Sequence, residues 1–185
     1  MNLMKTYEVY DDVIDKDDRD KLINFVKSNM KESNDEKYPW FENNNFEFLS
    51  IKDLKIRAVI NSYRFKLTQI VNNSYQKIVY PVWTDLVVWN KNKEMEQHID
   101  NGYDDPNNFF YHRHFSTVTY LNDDFEGGET FVIDDGVEKI IKPKAGRVLI
   151  MLSDSRCPHG VKKITDGFRI TLPIWYTMNK DVCQF

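Results

Sequence analysis

The chain has little cysteine, glycine or proline and no excess of positive charge. Its 185 residues include 2 cysteines, 7 glycines and 6 prolines. The cysteines, Cys157 and Cys183, are too few for a disulfide framework and are not spaced for a thiolate metal site. With 25 basic and 29 acidic residues the net charge is −4, so the chain lacks the positive field that draws proteins onto nucleic acid. We expect neither a disulfide scaffold nor a nucleic-acid partner.

Long apolar runs are absent as well. The mean hydropathy is −0.59, and no apolar stretch approaches the roughly 18 residues that a membrane span requires. The N-terminal sequence turns acidic at Asp11 and Asp12, where a secretory signal would continue with an apolar segment. These absences predict a soluble, cytoplasmic protein with no membrane partner.

The first part of the chain shows helical periodicity. Leu22, Val26 and Met30 recur at four-residue spacing and predict a helix near residues 16–31. Apolar residues at three- and four-residue spacing predict a second, longer helix over 52–75. Between the two helices the chain is polar, rich in asparagine and punctuated by aromatic residues, which predicts a long loop over 31–45 that covers a site.

Beyond Val79 the periodicity changes to short β-branched and aromatic runs separated by turn signals such as Asp135-Gly136. The predicted strands are 84–89, 115–121, 130–133, 137–141, 147–152 and 168–176. This pattern predicts one α+β, mainly β domain over 1–185, a β sandwich or barrel with helices packed outside it. Residues 1–78 would supply helical support and the loop, and residues 79–178 the β core.

All four histidines lie in the second half of the chain. In His98-Ile99-Asp100 the two polar side chains leave the same face if the segment is a strand. Imidazole and carboxylate suit Fe(II), which two histidines and one carboxylate can hold with positions left open for reactants. The pair alone is weak evidence, because His-x-Asp also arises by chance.

The candidates for a third ligand are His112, His114 and His159. His159 stands out because it follows an apolar run and a polar turn, so that it begins a new strand between a rigid Pro158 and a small Gly160. His112 and His114 follow a Pro-Asn-Asn loop and are better explained as an exposed polar rim.

Arg169 lies ten positions after His159 and would point into a β barrel, where a buried arginine needs an anion. A simple hairpin at Asp166-Gly167 would leave it about 17 Å of strand from His159. If the turn instead carries the chain to a facing sheet, Arg169 approaches the metal from the opposite wall and can bind a carboxylate there. Alone, it could equally be a surface cation on an edge strand.

These pieces occur in an order that resembles the 2-oxoglutarate and Fe(II)-dependent dioxygenases of the prolyl 4-hydroxylase type, over residues 84–177. The segment 147–159 is especially similar to the hypoxia-factor prolyl hydroxylases and their bacterial relatives. The matching motifs are His98-x-Asp100, Tyr120-Leu121-Asn122, Gly127-Gly128-Glu129-Thr130-Phe131, Pro143-Lys144-Ala145-Gly146-Arg147, His159-Gly160-Val161 and Gly167-Phe168-Arg169.

The resemblance implies a double-stranded β-helix, or jelly roll, supported by the N-terminal helices. It implies that His98, Asp100 and His159 bind Fe(II), and that 2-oxoglutarate and O₂ are cosubstrates with ascorbate as a reductant. Arg169 and Tyr120 would bind the distal carboxylate of 2-oxoglutarate. At the substrate mouth the resemblance places Arg113 and Trp175, and the residues expected to line the cavity are Val118, Phe131, Val161 and Ile170.

Four features depart from patterns within the family. Many collagen-type members have a lysine where this chain has Arg169. Trp89 stands where relatives often have a tyrosine that contacts the cosubstrate, and it cannot donate a phenolic hydrogen bond. Pro173 falls on the inward face of the last strand, where a proline requires a bulge or an edge. The segment between Asp100 and Arg113 is longer than in the hypoxia-type pattern, which predicts an altered substrate choice.

The leading hypothesis is an enzyme that hydroxylates a prolyl residue in a peptide or protein and converts 2-oxoglutarate to succinate. A free amino acid or another small molecule is an alternative substrate. A non-catalytic jelly-roll binding module is the alternative outside the enzyme class. The acidic composition gives only a slight preference for basic or neutral peptides.

Overall fold

The computed structural model of the protein describes residues 5–30 and 45–183. Two α-helices, α1 (Lys16–Asn29) and α2 (Leu54–Tyr75), confirm the helical predictions. Of the loop predicted over 31–45, all but one residue lies outside the described part of the chain. No helix among the described residues is both long enough and apolar enough to cross a membrane.

The described residues form twelve strands, numbered β1 to β12 in chain order. Two short 3-10 helices lie at Phe48–Ser50 and Lys180–Val182. The strands are Tyr7–Tyr10, Asn45–Glu47, Tyr80–Asn90, Met95–His98, Phe115–Tyr120, Glu126–Gly127, Thr130–Asp134, Val137–Ile141, Val148–Leu152, His159–Val161, Ile164–Asp166 and Phe168–Thr177. The six strands predicted from the sequence are all present, with ends shifted by at most a few residues.

The strands build two main antiparallel sheets. One has six strands in the order β1-β9-β5-β12-β3-β2, and the other has four in the order β4-β10-β7-β8. A small ladder pairs β11 with β6. The two sheets face each other, as the hydrogen bonds of Arg169 show. Its side chain, on β12 of the six-stranded sheet, donates to Thr130 on β7 of the four-stranded sheet and to Gly128 just before β7. A mainly β fold with outer helices, as predicted, is confirmed.

Helix α2 covers the outer face of the six-stranded sheet. Asp53 caps its N-terminus, accepting hydrogen bonds from the backbone N–H groups of Lys55 and Ile56 at 2.8 and 3.2 Å. Tyr63 is buried and its hydroxyl lies 2.7 Å from the hydroxyl of Thr119 on β5. Because side chains alternate along a strand, the residues next to Thr119 face inward, toward the second sheet.

Candidate active site

Three side chains that can ligate a metal converge on the four-stranded sheet. His98 ends β4, and His159 begins β10 directly across from it. Asp100 lies in the turn that follows β4 rather than on the strand, so strand alternation was the wrong reason for expecting the two side chains to converge. One ligand atom from each residue lies within 4.8 Å of the others. Within residues 5–30 and 45–183, no other group of His, Cys, Asp or Glu residues meets this description.

Backbone carbonyls orient both imidazoles. His98 Nδ1 donates to the carbonyl oxygen of Glu96 at 2.9 Å, and His159 Nδ1 donates to that of Cys157 at 3.1 Å. The Nε2 atoms are thereby directed at Asp100, at 3.6 Å from Oδ1 for His98 and 3.5 Å from Oδ2 for His159. Such outer hydrogen bonds fix the ring orientation and tautomer that a metal ligand needs.

The charges of the three residues are coupled. Burial acts to lower the pKa of His98, but the hydrogen bond and charge of Asp100 outweigh it and raise that pKa. Burial acts to raise the pKa of Asp100, yet the imidazoles of His159 and His98 hold it well below its ordinary value. The carboxylate therefore remains ionised in a buried place. Two imidazoles and an ionised carboxylate form a donor set that fits Fe(II).

Arg169 lies on the facing sheet and is 2% exposed. Its guanidinium donates to Gly128 O at 3.1 Å, to Thr130 Oγ1 at 3.1 Å and to Thr171 Oγ1 at 3.4 Å. All three acceptors are neutral, and no carboxylate of the described residues forms an ion pair with it. A buried, uncompensated guanidinium is suited to binding a carboxylate, as 2-oxoglutarate would supply.

Tyr120 belongs to the same polar cluster. Its hydroxyl donates to Thr130 Oγ1 at 2.6 Å, and the same oxygen accepts the hydrogen bond from Arg169. The Tyr120 ring centroid lies 5.2 Å from Arg169 Cζ. The structure thus brings together the two residues predicted to bind the cosubstrate.

The register of the strands relates this cluster to the metal ligands. Thr130 pairs with Val161 on β10, and Val132 pairs with His159. Thr130 is therefore two residues, or about 7 Å of strand, from the position opposite His159. Arg169 contacts Thr130 from the six-stranded sheet. The turn at Asp166-Gly167 therefore carries the chain across to the facing sheet, and the alternative prediction of a simple hairpin at this turn is wrong.

Two departures from the family pattern, Trp89 on β3 and Pro173 on β12, are accommodated in different ways. The Trp89 ring centroid lies 5.4 Å from Arg169 Cζ, so the indole contacts the guanidinium by a cation–π interaction instead of a phenolic hydrogen bond. Pro173 lies on a central strand, paired with Val118 on β5. The pairs to β3 are interrupted between Thr171 and Ile174, and a bulge follows at Trp175.

Arg113 and Trp175, predicted at the substrate mouth, are in contact. Arg113 Cζ lies 4.3 Å from the Trp175 ring and 4.1 Å from the ring of Phe110, so its guanidinium is held between two aromatic rings. Burial lowers the pKa of Arg113 to about 10, against the opposing charges of Asp100 and Asp85, and the side chain stays protonated at neutral pH. The contact between Phe110 and Arg113 was not predicted from the sequence.

Asp85 on β3 was also not predicted. It is buried, it accepts hydrogen bonds from Trp83 Nε1 at 2.9 Å and from Asn45 Nδ2 at 3.3 Å, and burial raises its pKa. An acidic residue within an otherwise apolar strand was the signal in the sequence, since a buried carboxylate needs polar partners.

The other two histidines lie outside the metal cluster. His112 is exposed. His114 Nδ1 accepts a hydrogen bond from the backbone N–H of Met178 at 3.2 Å, and burial lowers its pKa. The prediction that they are not ligands agrees with these positions, although His114 is half-buried rather than part of an exposed rim.

Only half of the predicted cavity lining faces inward. Val118 alternates with Thr119, and Val161 pairs with Thr130, so both lie on the inner faces. Phe131 contacts Lys162, with the ammonium 4.3 Å from its ring, and lies on the outer face of its sheet. Ile170 lines an outer groove beside α1 and packs in the helix-side core. Strand alternation, with Thr130 and Arg169 pointing inward, turns these two neighbours outward.

Comparison with solved structures supports the fold. A prolyl hydroxylase from Trichoplax adhaerens, in complex with a hypoxia inducible factor peptide fragment, has a TM-score of 0.73 at 16% identity, covering 96% of this chain and 86% of that one. A viral collagen prolyl hydroxylase from Paramecium bursaria Chlorella virus-1 has a TM-score of 0.70 at 19% identity, covering 95% of this chain and 97% of that one. The predicted double-stranded β-helix is thereby confirmed.

Sequence comparison identifies the family. Human prolyl 3-hydroxylase 2 is 40% identical over 70 residues, which are 36% of this chain and 10% of that protein. The chain thus matches about a tenth of the length of the first curated relatives. The model of the 2OG-Fe(II) oxygenase superfamily matches residues 84–177, more than half of the chain and all of the residues of the metal cluster and its arginine. The chain belongs to the 2OG-Fe(II) oxygenase superfamily.

Proposed function

We propose that this enzyme hydroxylates a prolyl residue in a peptide or protein. In the reaction a prolyl C–H bond becomes C–OH, and 2-oxoglutarate is oxidised to succinate and CO₂. One atom of O₂ enters the hydroxyl group and the other enters succinate, so no further oxidant is required. Ascorbate is proposed as the reductant that keeps the iron in its ferrous state between turnovers.

The observation that carries the proposal is the position of Arg169. Its buried, uncompensated guanidinium contacts Thr130 on β7 of the four-stranded sheet, the sheet that also carries His98 and His159, so an anion between the sheets would contact both walls. When bound, Fe(II) with 2-oxoglutarate supplies the oxidising power. His98, Asp100 and His159 hold the metal on one side, while Arg169 orients the distal carboxylate of the cosubstrate from the other.

Prolyl specificity is proposed from the relatives and from the mouth of the site. The curated relatives with significant matches include prolyl 3-hydroxylases, and prolyl hydroxylases share the fold. At the mouth, Arg113 is stacked on Trp175, which provides a flat, partly apolar surface of the kind that a pyrrolidine ring can contact.

The test is a turnover assay with a panel of proline-containing peptides, Fe(II), 2-oxoglutarate and ascorbate. We expect succinate to form and the peptide to gain the mass of one oxygen atom. His98→Ala and His159→Ala should abolish both products. His112→Ala removes an exposed imidazole and is the matched control, which should retain them. Amino-acid analysis against 3- and 4-hydroxyproline standards identifies the carbon that is modified.

The same assay separates the alternatives. Succinate formation with a free amino acid or another small molecule, and with no peptide, would replace the peptide hypothesis. An absence of succinate with every substrate, despite bound iron and 2-oxoglutarate, would identify a binding module and overturn the proposal.

A further inference from the structure

Of the three metal ligands, Asp100 alone lies outside a strand. His98 ends β4 and His159 begins β10, so the pairing of these two strands fixes both imidazoles. Asp100 lies in the turn after β4, yet its Oδ1 is 3.6 Å from His98 Nε2 and its Oδ2 is 3.5 Å from His159 Nε2. Residues outside the metal cluster must therefore hold this turn in place.

Asn101, the next residue, anchors the turn to the facing sheet. It is 5% exposed, and its backbone N–H donates to the carbonyl oxygen of Ser153 at 3.0 Å. Ser153 directly follows β9 of the six-stranded sheet and is itself fixed, because its N–H donates to His114 O at 3.1 Å and its hydroxyl lies 2.6 Å from that of Ser116. Asp100 is thus tethered on one side to the four-stranded sheet through β4 and on the other side to the six-stranded sheet through Asn101.

The side chain of Asn101 closes the turn. Its amide nitrogen donates to Asp104 Oδ1 at 2.6 Å, and its amide oxygen accepts a hydrogen bond from the Asp104 N–H at 3.1 Å. Gly102, Tyr103 and Asp104 all occupy the left-handed region, with φ of 73°, 65° and 59°. Tyr103 and Asp104 carry a Cβ atom and are strained there, so this conformation persists only because surrounding contacts enforce it. The two hydrogen bonds between Asn101 and Asp104 are such contacts.

Asp104 also contacts the segment that carries His159. Its Oδ2 accepts a hydrogen bond from the Ser155 N–H at 3.4 Å, and the hydrogen bonds from Asn101 and Ser155 lower the pKa of Asp104. Ser155 lies four residues before His159, in the connection between β9 and β10. Asn101 and Asp104 together therefore join the turn that carries Asp100 to the segment that carries His159.

Holding a ligand in place before the metal arrives raises metal affinity. A carboxylate that is free to move loses conformational entropy when it binds a metal, whereas one that is already held has lost that entropy during folding. Residues that orient a ligand without touching the metal typically contribute about 10- to 100-fold to affinity. The carbonyls of Glu96 and Cys157 orient the two imidazoles in this way. The hydrogen bonds of the turn are the corresponding contacts for Asp100.

We propose that Asn101 and Asp104 are positioning residues that hold the Asp100 carboxylate in the geometry that Fe(II) requires. Asn101 anchors and closes the turn, and Asp104 ties it to the segment before His159. The proposal rests on the proposed function, because it concerns the metal site of that reaction, and neither residue touches the metal.

The first test is Fe(II) binding to Asn101→Ala, measured by titration calorimetry without oxygen. This variant keeps the backbone bond to Ser153 and the net charge but loses both side-chain bonds to Asp104. We expect its Kd for Fe(II) to rise about tenfold or more. The visible absorption spectrum of bound Co(II), which reports ligand geometry, should also differ from that of the wild type.

Variants of Asp104 separate geometry from charge. Asp104 is exposed, so these variants test the proposal even if Asn101→Ala does not fold. Asp104→Ala should weaken Fe(II) binding, whereas Asp104→Asn keeps an oxygen that can accept from Asn101 and should recover most of the affinity. The control is Asp105→Ala, which removes a neighbouring exposed carboxylate bonded to Asn107 and should bind Fe(II) like the wild type.

Two results would overturn the positioning role. A role in fold stability alone would lower the melting temperature of metal-free Asn101→Ala and leave its Kd for Fe(II) and its Co(II) spectrum unchanged. An equal loss of affinity in Asp104→Ala and Asp104→Asn would show that the charge of Asp104, and not its hydrogen bond, supports metal binding.

Turnover distinguishes this proposal from the function on which it rests. If Asn101→Ala binds Fe(II) more weakly than the wild type, but the wild type forms neither succinate nor hydroxylated peptide, the proposed function fails and the positioning role stands. If the wild type hydroxylates a peptide and Asn101→Ala binds Fe(II) with the same Kd and Co(II) spectrum, the function stands and the positioning role is rejected.

Discussion

At the scale of single residues, Arg169 combines deep burial with a positive charge that no carboxylate of the described residues neutralises. It is buried and donates only to neutral oxygens of Gly128, Thr130 and Thr171. An unpaired buried charge costs free energy, whereas a hydrophobic residue of similar volume is often neutral or stabilising there. Binding of an anion beside Arg169 is therefore favourable, whereas the buried charge without an anion lowers the stability of the fold.

Arg169→Met should separate these two effects. We expect its free energy of unfolding without ligand to equal or exceed that of the wild type, and its Kd for 2-oxoglutarate to rise about 10- to 100-fold, as for a lost charged hydrogen bond. Iron binding should be unchanged. Thermal unfolding and titration calorimetry, each with and without 2-oxoglutarate, measure these quantities, and an unchanged Kd for 2-oxoglutarate would reject the role of Arg169.

Asp100 contributes the single carboxylate of the metal cluster. Because Asp100 would supply one of the three ligands, Asp100→Ala should weaken Fe(II) binding by more than about 100-fold, beyond the loss typical of residues that only support ligands. Circular dichroism should show an intact fold. The control is Asp166→Ala, which removes an exposed carboxylate paired with Lys91 and should bind iron normally. Unaltered iron occupancy in Asp100→Ala would contradict the ligand assignment.

At the scale of elements, β10 is fixed between β4 and β7 by the absence of a side chain at Gly160. A Cβ atom there would lie 2.5 Å from Phe131 Cζ and 2.6 Å from Met95 O. His159, the residue immediately before Gly160, is held opposite His98 by this close packing. The position of a metal ligand thus depends on the spacing between strands.

Gly160→Ala should push β10 away from its neighbours. We expect a loss of about 1–3 kcal/mol in the free energy of unfolding, as for other overpacked sites, together with weaker Fe(II) binding. Adding Phe131→Leu should recover part of both, because the ring edge is the nearest obstacle. The control is Gly136→Ala. Gly136 lies in a turn where an added Cβ atom would meet nothing within 4 Å, so this variant should leave iron binding unchanged. Normal iron affinity in Gly160→Ala would show that the strand spacing does not position His159.

The elements also show what the sequence could predict. Helix α2 and the strand around Arg169 were readable because apolar spacing reports burial directly. The turn after β11 was not, because a hairpin and a crossing to the facing sheet share the same Asp166-Gly167 signal. The roles of Phe110 and Asp85 depend on contacts between residues distant in sequence, which no local pattern contains. The expectation that Phe131 and Ile170 line the cavity is wrong because an apolar run does not show which strand face each residue occupies.

At the scale of the whole molecule, the two halves of the site lie on different sheets. The metal ligands belong to the four-stranded sheet and its adjoining turn, and Arg169 to the six-stranded sheet. A cosubstrate bound to both would link the sheets, so ligand binding should stabilise the entire fold. The same linkage applies to protons, because the metal and a proton compete for the imidazole of His98.

The free energy of unfolding of the metal-free protein should therefore change with pH in a direction that the pKa shifts of His98 and Asp100 determine. Because the pKa of His98 is raised above its ordinary value of 6.5, its contribution to the free energy of unfolding is complete below pH 6.5. That contribution is lost as the pH rises through the raised pKa. The lowered pKa of Asp100 means that its contribution is present above pH 3.8 and is lost only as the pH falls through the lowered value. Both His98 and Asp100 therefore contribute fully to the free energy of unfolding between pH 3.8 and pH 6.5.

Fe(II) binding should show the opposite trend, because the metal requires neutral imidazole and so binds better as the pH rises. We expect the increase in melting temperature on adding Fe(II) without oxygen to be larger at about pH 8 than at about pH 5.5.

A comparison with Asp100→Asn isolates the contribution of His98 to the stability of the metal-free protein. The comparison is needed because the lowered pKa of His114 makes the contribution of that residue increase with pH, whereas the contribution of His98 decreases. In that variant the pH-dependent loss of metal-free stability should diminish. A metal-free wild type that loses no more stability than Asp100→Asn as the pH rises would show that the Asp100 carboxylate does not stabilise the protonated imidazole.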